Sequence, residues 1–329
     1  HCNTYLPTPC RTLLAGGVFM PLLPVLLLLG AVILVNGWTD APNAIATPVA
    51  AGTLSFHTAV LLAAGCNLLG VAGTAAVSDA VARTLFSIAD FGPFALTALT
   101  AALAATVIWA VAAWRFGIPT SESHALTAGL TGAALALGAE HLRLAPLLWV
   151  GWGLILSLAL GATLGRLFTR LLPSGGERSY RQGQVAGAAL TSFLHGAQDG
   201  QKFLGVLALA LALDGSGFST PAWAAWGCAS LMALGTLLGG RRIIDTVGRK
   251  MVLLTPRTGF AADLGCAAAL AVCTLWGLPV STTHAKTAAI LGAGSSPDGK
   301  VAGSLGLAWL LTFPGCGVIA FLLVKCLLP

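Results

Sequence analysis

The 329-residue chain has 57% hydrophobic and only 9% charged residues, with a mean hydropathy of +0.88, whereas a soluble domain carries roughly 25% charged residues. This excludes a soluble fold, and no nucleic-acid partner is expected. The net charge of +6 names no ligand, because Lys and Arg in a membrane chain chiefly set topology.

Uncharged runs able to cross a ~30 Å hydrocarbon layer occur at Val18–Val35, Thr58–Ala76, Phe91–Trp114, Ala145–Gly165, Pro221–Leu238 and Leu305–Val324. Helices satisfy their own backbone groups, so the expected fold is an all-α integral membrane bundle. Residues 1–17 form an N-terminal segment, and the apolar stretch within residues 1–35 is longer than a signal-peptide h-region. The eight cysteines form no CxxC pair, and Cys66, Cys228, Cys266, Cys273, Cys316 and Cys326 sit in apolar runs as small hydrophobes. Cys2 and Cys10 are free to pair if they lie outside.

Directly after the first run comes "NGWTDAPNAIAT" (36–47), which places Asp40 about midway along a crossing over residues 18–55. A carboxylate at that depth costs at least ~2.5–3.5 kcal/mol unless it is hydrated, paired or ligated. An interrupted helix frees carbonyls, which are tolerated only where they line a cavity or bind something. Carbonyls beside a carboxylate make a site for Na⁺ or a proton. Further along, "FGIPTSESHAL" (116–126) sets Pro119 at a break and Ser121 and Ser123 at the start of a short segment, Ala125–Ala139.

Both motifs have later counterparts. "LHGAQDGQKFLG" (194–205) aligns Gly196 and Asp199 with Gly37 and Asp40, and "WGLPVSTTHAK" (276–286) aligns Pro279, Ser281, Thr282, Thr283 and His284 with Pro119 to His124. The Asp-to-His interval is 84 residues in one half and 85 in the other. The chain therefore reads as two repeats, 18–168 and 185–329, joined by the polar, Arg-rich linker 169–184, which the positive-inside rule makes cytoplasmic. The 239–250 loop, "GGRRIIDTVGRK", nets +3, whereas the 77–90 loop nets −1. Opposite bias at equivalent loops predicts inverted repeats. Each would have a crossing broken at its Asp motif (18–55 and 185–213) and a re-entrant hairpin ending at Ala125–Ala139 or Ala285–Gly294, whose lengths suit hairpins better than full spans, although ten ordinary spans would give the same topology.

Paired helix N-termini converging from inverted halves present free N–H groups and positive dipole ends, which suit a tetrahedral anion. The hydroxyls of Ser121, Ser123, Ser281, Thr282 and Thr283 add donors; plain N-capping is the competing reading. His124 and His284 read equally as proton carriers or as hydrogen-bonding anchors. Glu122 has Thr282 as its counterpart, so the halves differ there. Lys202 either neutralises Asp199 or faces the anion. His195 and Asp199, four apart, lack an evident third metal ligand.

These motifs resemble those of the inorganic phosphate transporter (PiT, Pho-4) family over nearly the whole chain. "GGRRIIDTVGRKMVLLTPRTGFAAD" (239–263) is similar to a further hallmark stretch. The resemblance implies a phosphate site between inverted repeats and symport with Na⁺ or H⁺. Where the family commonly has Asn before each signature Asp, this chain has Thr39 and Gln198, and Asp263 stands where Glu is common. These departures bear on the coupling ion. Some relatives carry sulfate, so either anion fits the resemblance.

The expectation is an importer, not an enzyme, in the plasma (inner) membrane, with alternating access around a midplane site. Asp40 and Asp199, with Thr39 and Gln198, would hold the coupling Na⁺ or H⁺, with no other cofactor. Asn43, Gln201 and the hairpin hydroxyls would hold the anion, supported by Glu122, His124, Lys202, Asp263 and His284. The partners expected are inorganic phosphate and membrane lipid, with a homodimer as an allowed assembly. A passive anion channel is one alternative. An intramembrane aspartyl protease with an Asp40/Asp199 dyad is another, although its GxGD motif is absent.

Overall fold

A run of leucine, valine and isoleucine makes α1 (Leu22–Thr39), which is apolar on every side. Pro42 has no N–H for the Trp38 carbonyl, and Pro48 has none for that of Ala44. The helix accordingly gives way to a 3₁₀ turn, Ala41–Ile45, before α2 (Ala46–Ala50) completes the crossing. The computed structural model describes residues 22–74, 87–173, 175–215, 220–276, 278 and 280–328. The rest of the first half is α3 (Phe56–Thr74), α4 (Ala95–Arg115), α5 (Glu122–Leu137) and α6 (Leu144–Leu171). The second half has α7 (Glu177–Leu213), α8 (Ala222–Leu238), the short α9 (Arg241–Ile244) running into a π turn (Asp245–Lys250), α10 (Pro256–Leu275), α11 (Thr282–Ala293) and α12 (Gly299–Leu327). The only β pairing among the described residues is two isolated bridges, Ala89 with Leu142 and Leu253 with Ser295.

Four expectations change. The second Asp motif does not break its crossing: α7 is one 37-residue helix through Asp199. Glycines at 196 and 200 weaken a helix by about 1 kcal/mol each, but "LHGAQDGQKFLG" has no proline, so every N–H remains. The 239–250 stretch is not a loop but the helical pair α9 and π turn, bent by 67° from α8 and burying Ile243, Ile244 and Val247. A span at Pro256–Leu275 joins those expected; its Arg257 and Asp263 had interrupted the uncharged run. Within the linker stretch, 169–171 and 177–184 lie in helices, so only 172–176 connects the halves. The 77–86 part of the 77–90 loop lies outside the described residues, as do Cys2, Cys10 and Pro279.

The halves interlock. Hairpin helix α5 packs on α12 of the other half, and α11 packs on α6. In the same exchanged sense α3 lies against α7 and α1 against α8, while α3 and α8 meet each other. Small residues set these approaches, as is usual between membrane helices. A Cβ added at Gly196 would lie 2.4 Å from the Asn67 carbonyl, and one at Gly235 only 2.1 Å from that of Leu34. At 1.5 Å per residue, α5 and α11 are about 24 and 18 Å long, too short for a full crossing.

Basic side chains collect at one end of the bundle. Arg181 bonds the Gly52 carbonyl at 2.7 Å, Arg242 that of Arg115 at 3.0 Å, and Arg257 those of Thr169 and Leu172 at 2.8 and 2.6 Å. The opposite end carries the Arg143–Asp90 pair, with 2.9 Å between charges.

Candidate functional site

The break in α1 places Asp40 at the head of the 3₁₀ turn, 2% exposed. Asn43, one turn on, donates its amide to the Asp40 main-chain oxygen at 3.0 Å, the Asp40 carboxylate at 3.1 Å and the Thr283 hydroxyl at 3.2 Å. Thr283 in turn bonds the Asp40 carboxylate and has the Thr120 carbonyl 3.1 Å away. Thr282 lies 3.5 Å from the second carboxylate oxygen, and the main chain of Glu122 also reaches this carboxylate. Asp40 thus meets the N-termini of both hairpin helices, but only neutral groups touch it.

On α7, Asp199 is fully buried. Lys202 Nζ is 2.5 Å from one carboxylate oxygen; Asn36 donates to the other at 3.0 Å, with His195 Nε2 at 3.3 Å. Lys202 also donates to the Ser123 hydroxyl at 2.7 Å and the Val280 carbonyl at 3.0 Å, while Ser123 donates to that same carbonyl at 2.9 Å. His195 Nδ1 lies 2.9 Å from Asn67 Oδ1, and Asn67 bonds Thr236 at 3.3 Å. That chain ties α7 to α3 and α8.

Ligand atoms from Asp40, His195 and Asp199 lie within 4.8 Å of one another. Asp40 is the third ligand that His195 and Asp199 appeared to lack. These donors concentrate negative charge that a cation at Asp40 would balance, whereas both Asp199 oxygens are already engaged by Lys202, Asn36 and His195. Several side-chain oxygens are unsatisfied, alongside orphaned ring nitrogens of His124, His195 and His284. Among buried polar atoms without a partner are both carboxylate oxygens of Glu122 and the side-chain oxygens of Asn36, Asn43, Gln198 and Gln201. All are acceptors, which a cation or a hydrogen-bonding anion such as a protonated phosphate would satisfy.

The hairpin hydroxyls divide between two tasks. Ser121 and Ser281 cap α5 and α11, accepting from the N–H of His124 at 3.3 Å and of His284 at 3.0 Å. Capping therefore accounts for these two. Ser123, Thr282 and Thr283 face the aspartates instead. His124 and His284 meet ring to ring, 4.3 Å between centroids, backed by Phe313 and Trp309. The Thr39 hydroxyl turns away from Asp40 and donates to Val35 of its own helix at 2.8 Å. Gln198 donates to the Leu278 carbonyl at 3.4 Å.

Asp263 lies outside this cluster, in a second buried charge pair. Lys286 Nζ bonds the Asp263 carboxylate, lies 3.3 Å from the Thr47 hydroxyl and donates at 3.1 Å to the Ala44 carbonyl, the one deprived of its helical donor by Pro48. Thr47 donates to Asp263 at 2.5 Å. The ammonium thus clamps the broken helix to α10 and α11. The sequence reading overlooked Lys286, as well as Asn36 and Asn67; a lysine in an apolar hairpin segment was the available signal.

An Asp40/Asp199 protease dyad gains no support from this geometry, because Asp199 is engaged by Lys202, Asn36 and His195, whereas a dyad shares one proton between two carboxyls. Comparison with known proteins points one way. The phosphate transporter family PHO4 matches twice, over residues 36–175 and 173–320, once for each half. A protein of Rhizobium meliloti named "Probable low-affinity inorganic phosphate transporter" is 37% identical over 305 residues, covering 87% of this chain and 90% of that one. One of the same name from Bacillus subtilis is 33% identical over 315 residues, covering 88% and 93%. A solved structure described as the sodium-dependent phosphate transporter superimposes with a TM-score of 0.83 at 19% identity, covering 93% of this chain and 98% of that one, and so shares the fold. With its repeated signature motifs, its interlocked halves and matches along both repeats, the chain belongs to the PHO4 phosphate transporter family.

Proposed function

We propose that this protein imports inorganic phosphate across the plasma (inner) membrane by symport with Na⁺ or H⁺, alternating access around the cluster at Asp40, Asp199 and the two hairpin N-termini. The observation that carries the reading is the meeting of opposites in one buried place. Carboxylates able to hold a cation lie against helix N-termini and hydroxyls able to hold an oxyanion, each contributed crosswise by both halves. A cation bound at Asp40 lowers the cost of bringing a phosphate beside Glu122 and Asp199. Each ion therefore promotes binding of the other, as symport requires.

Ser123, Thr282 and Thr283, with Asn43, Gln201 and the N–H groups of α5 and α11, provide the anion half. Asp40, open to a cation, and Asp199, already paired, provide the other. Because each half contributes to both pockets, a rocking of one repeat against the other would open the site to alternate sides. The basic end of the bundle, including 172–176 and 239–250, faces the cytoplasm in this reading.

The test is uptake of labelled phosphate into proteoliposomes. Phosphate should accumulate under an inward Na⁺ or H⁺ gradient, and the arm that drives it names the ion. Uptake indifferent to both gradients would refute symport, and preferential competition by sulfate would shift the substrate to that anion.

A further inference from the structure

Resting on the transport reading above, we infer that Lys202 is a built-in cation which permanently fills the second of two symmetry-related cation pockets, so that only the Asp40 side loads a coupling ion. The motif alignment pairs Asp40 with Asp199, Asn43 with Lys202, Thr283 with Ser123, and Thr120 with Val280. The contacts obey the same pairing. Asn43 bonds Asp40 and Thr283, and Thr283 lies against the Thr120 carbonyl. Lys202 bonds Asp199 and Ser123, and Ser123 bonds the Val280 carbonyl. The two pockets are thus the same construction, with a carboxylamide in one and an ammonium in the other.

The ligands around Lys202 Nζ are a carboxylate at 2.5 Å, a hydroxyl at 2.7 Å and a main-chain carbonyl at 3.0 Å. These are all oxygens, the donor set that a hard metal cation takes from a protein. An ammonium has three N–H groups and no acceptor, and all three are used here. None is left for a phosphate, so in this conformation the lysine neutralises Asp199 rather than contacting the substrate. Around Asp40 the reverse holds. Its side-chain partners are an amide and two hydroxyls, and the Asn43 oxygen and both Glu122 oxygens nearby have no partner. Among the described residues no cation bonds Asp40 directly, although Lys202 and Asp199 both lie close enough to act on it, whereas Asp199 has the ammonium in contact.

The consequence is a stoichiometry. A transporter with two open pockets would move one more cation per phosphate than this one, and replacing the lysine with the residue its twin uses should restore the second. The experiment compares wild type with Lys202→Asn in proteoliposomes, measuring the charge moved per phosphate from the membrane potential that just cancels net flux in the presence of Na⁺. Lys202→Asn is expected to carry about one additional positive charge per phosphate, and Lys202→Arg, which keeps the cation, none.

A binding measurement covers a variant that folds but transports poorly. Purified Lys202→Asn should gain one saturable ²²Na⁺ site over wild type and become thermally stabilised by Na⁺ more than wild type is. Unchanged charge stoichiometry together with no added ²²Na⁺ binding would overturn the inference. So would an equal gain in Lys202→Arg. If wild type moves no phosphate at all, the transport reading fails instead, and the ²²Na⁺ comparison still decides whether Lys202 occupies a cation pocket.

Discussion

Thr283 shows how much one hydroxyl is asked to do, since it receives the Asn43 amide and bonds the Asp40 carboxylate at the mouth of α11. The one O–H of Thr283 is committed to Asp40, so Thr283→Ala bares that carboxylate to the anion; with a hydrogen bond to a charged group worth about 1.5 kcal/mol, the phosphate KM should rise about tenfold. Thr283→Ser keeps the hydroxyl and should stay near wild type; uptake titrated in phosphate at saturating coupling ion separates the two. Lys286 and Asp263 make a different kind of pair, buried with side-chain exposures of 2% and 0%. Removing one partner strands the other charge, and Lys286→Met should cost about 3–5 kcal/mol of stability. The double variant Lys286→Met with Asp263→Leu strands nothing and should recover most of it, as followed by unfolding in detergent. Asp40, Asp199 and the hairpin hydroxyls were legible in the sequence because their motifs occur twice. Lys286 was not, since its partners Asp263, Thr47 and Ala44 come from segments brought together only by packing.

The contrast between α1 and α7 lies at the scale of the element. Both carry an aspartate at mid-crossing, yet only the one followed by Pro42 and Pro48 breaks. Symmetry of motif suggested symmetry of breakage, but the backbone follows the count of available N–H groups rather than the resemblance. The freed Ala44 carbonyl is taken by Lys286, so the break persists as a built feature. Helix contacts give a second prediction. Gly235 faces the Leu34 carbonyl at the α1–α8 crossing, whereas Gly227 on the same helix faces open space. Gly235→Leu should abolish correctly folded protein in the membrane and Gly227→Leu should leave it unaffected, with monodispersity on size-exclusion chromatography in detergent as the measure.

For the molecule as a whole, the exchange of hairpins between halves makes the repeats inseparable: α5 has its neighbour in α12 and α11 in α6. A half expressed alone would leave its hairpin uncovered. The topology is checked by single cysteines placed at Ser179, Arg249 and Glu140 in a background without other reactive thiols. Ser179 and Arg249 belong to the basic end and should label from the cytoplasm, whereas Glu140, next to the Arg143–Asp90 pair, should label from outside. Labelling of Arg249 and Glu140 from the same side would refute the inverted arrangement.

By itself the sequence determined that this is a helical membrane protein of two related halves, and which repeated motifs carry its buried polar residues. Hydropathy dictates burial in lipid, and a motif repeated at matched intervals marks equivalent positions without reference to any contact. Only the tertiary structure decided which member of each pair touches which. The aspartate of one half meets the hairpin hydroxyl of the other across 243 residues for Asp40 with Thr283, and Lys202 meets Ser123 across 79. Such pairings depend on how the halves interlock. In the low-dielectric interior, where an unpaired charge is expensive, interlocking also determines that Lys202 is spent on Asp199 while Asp40 is left with neutral partners alone.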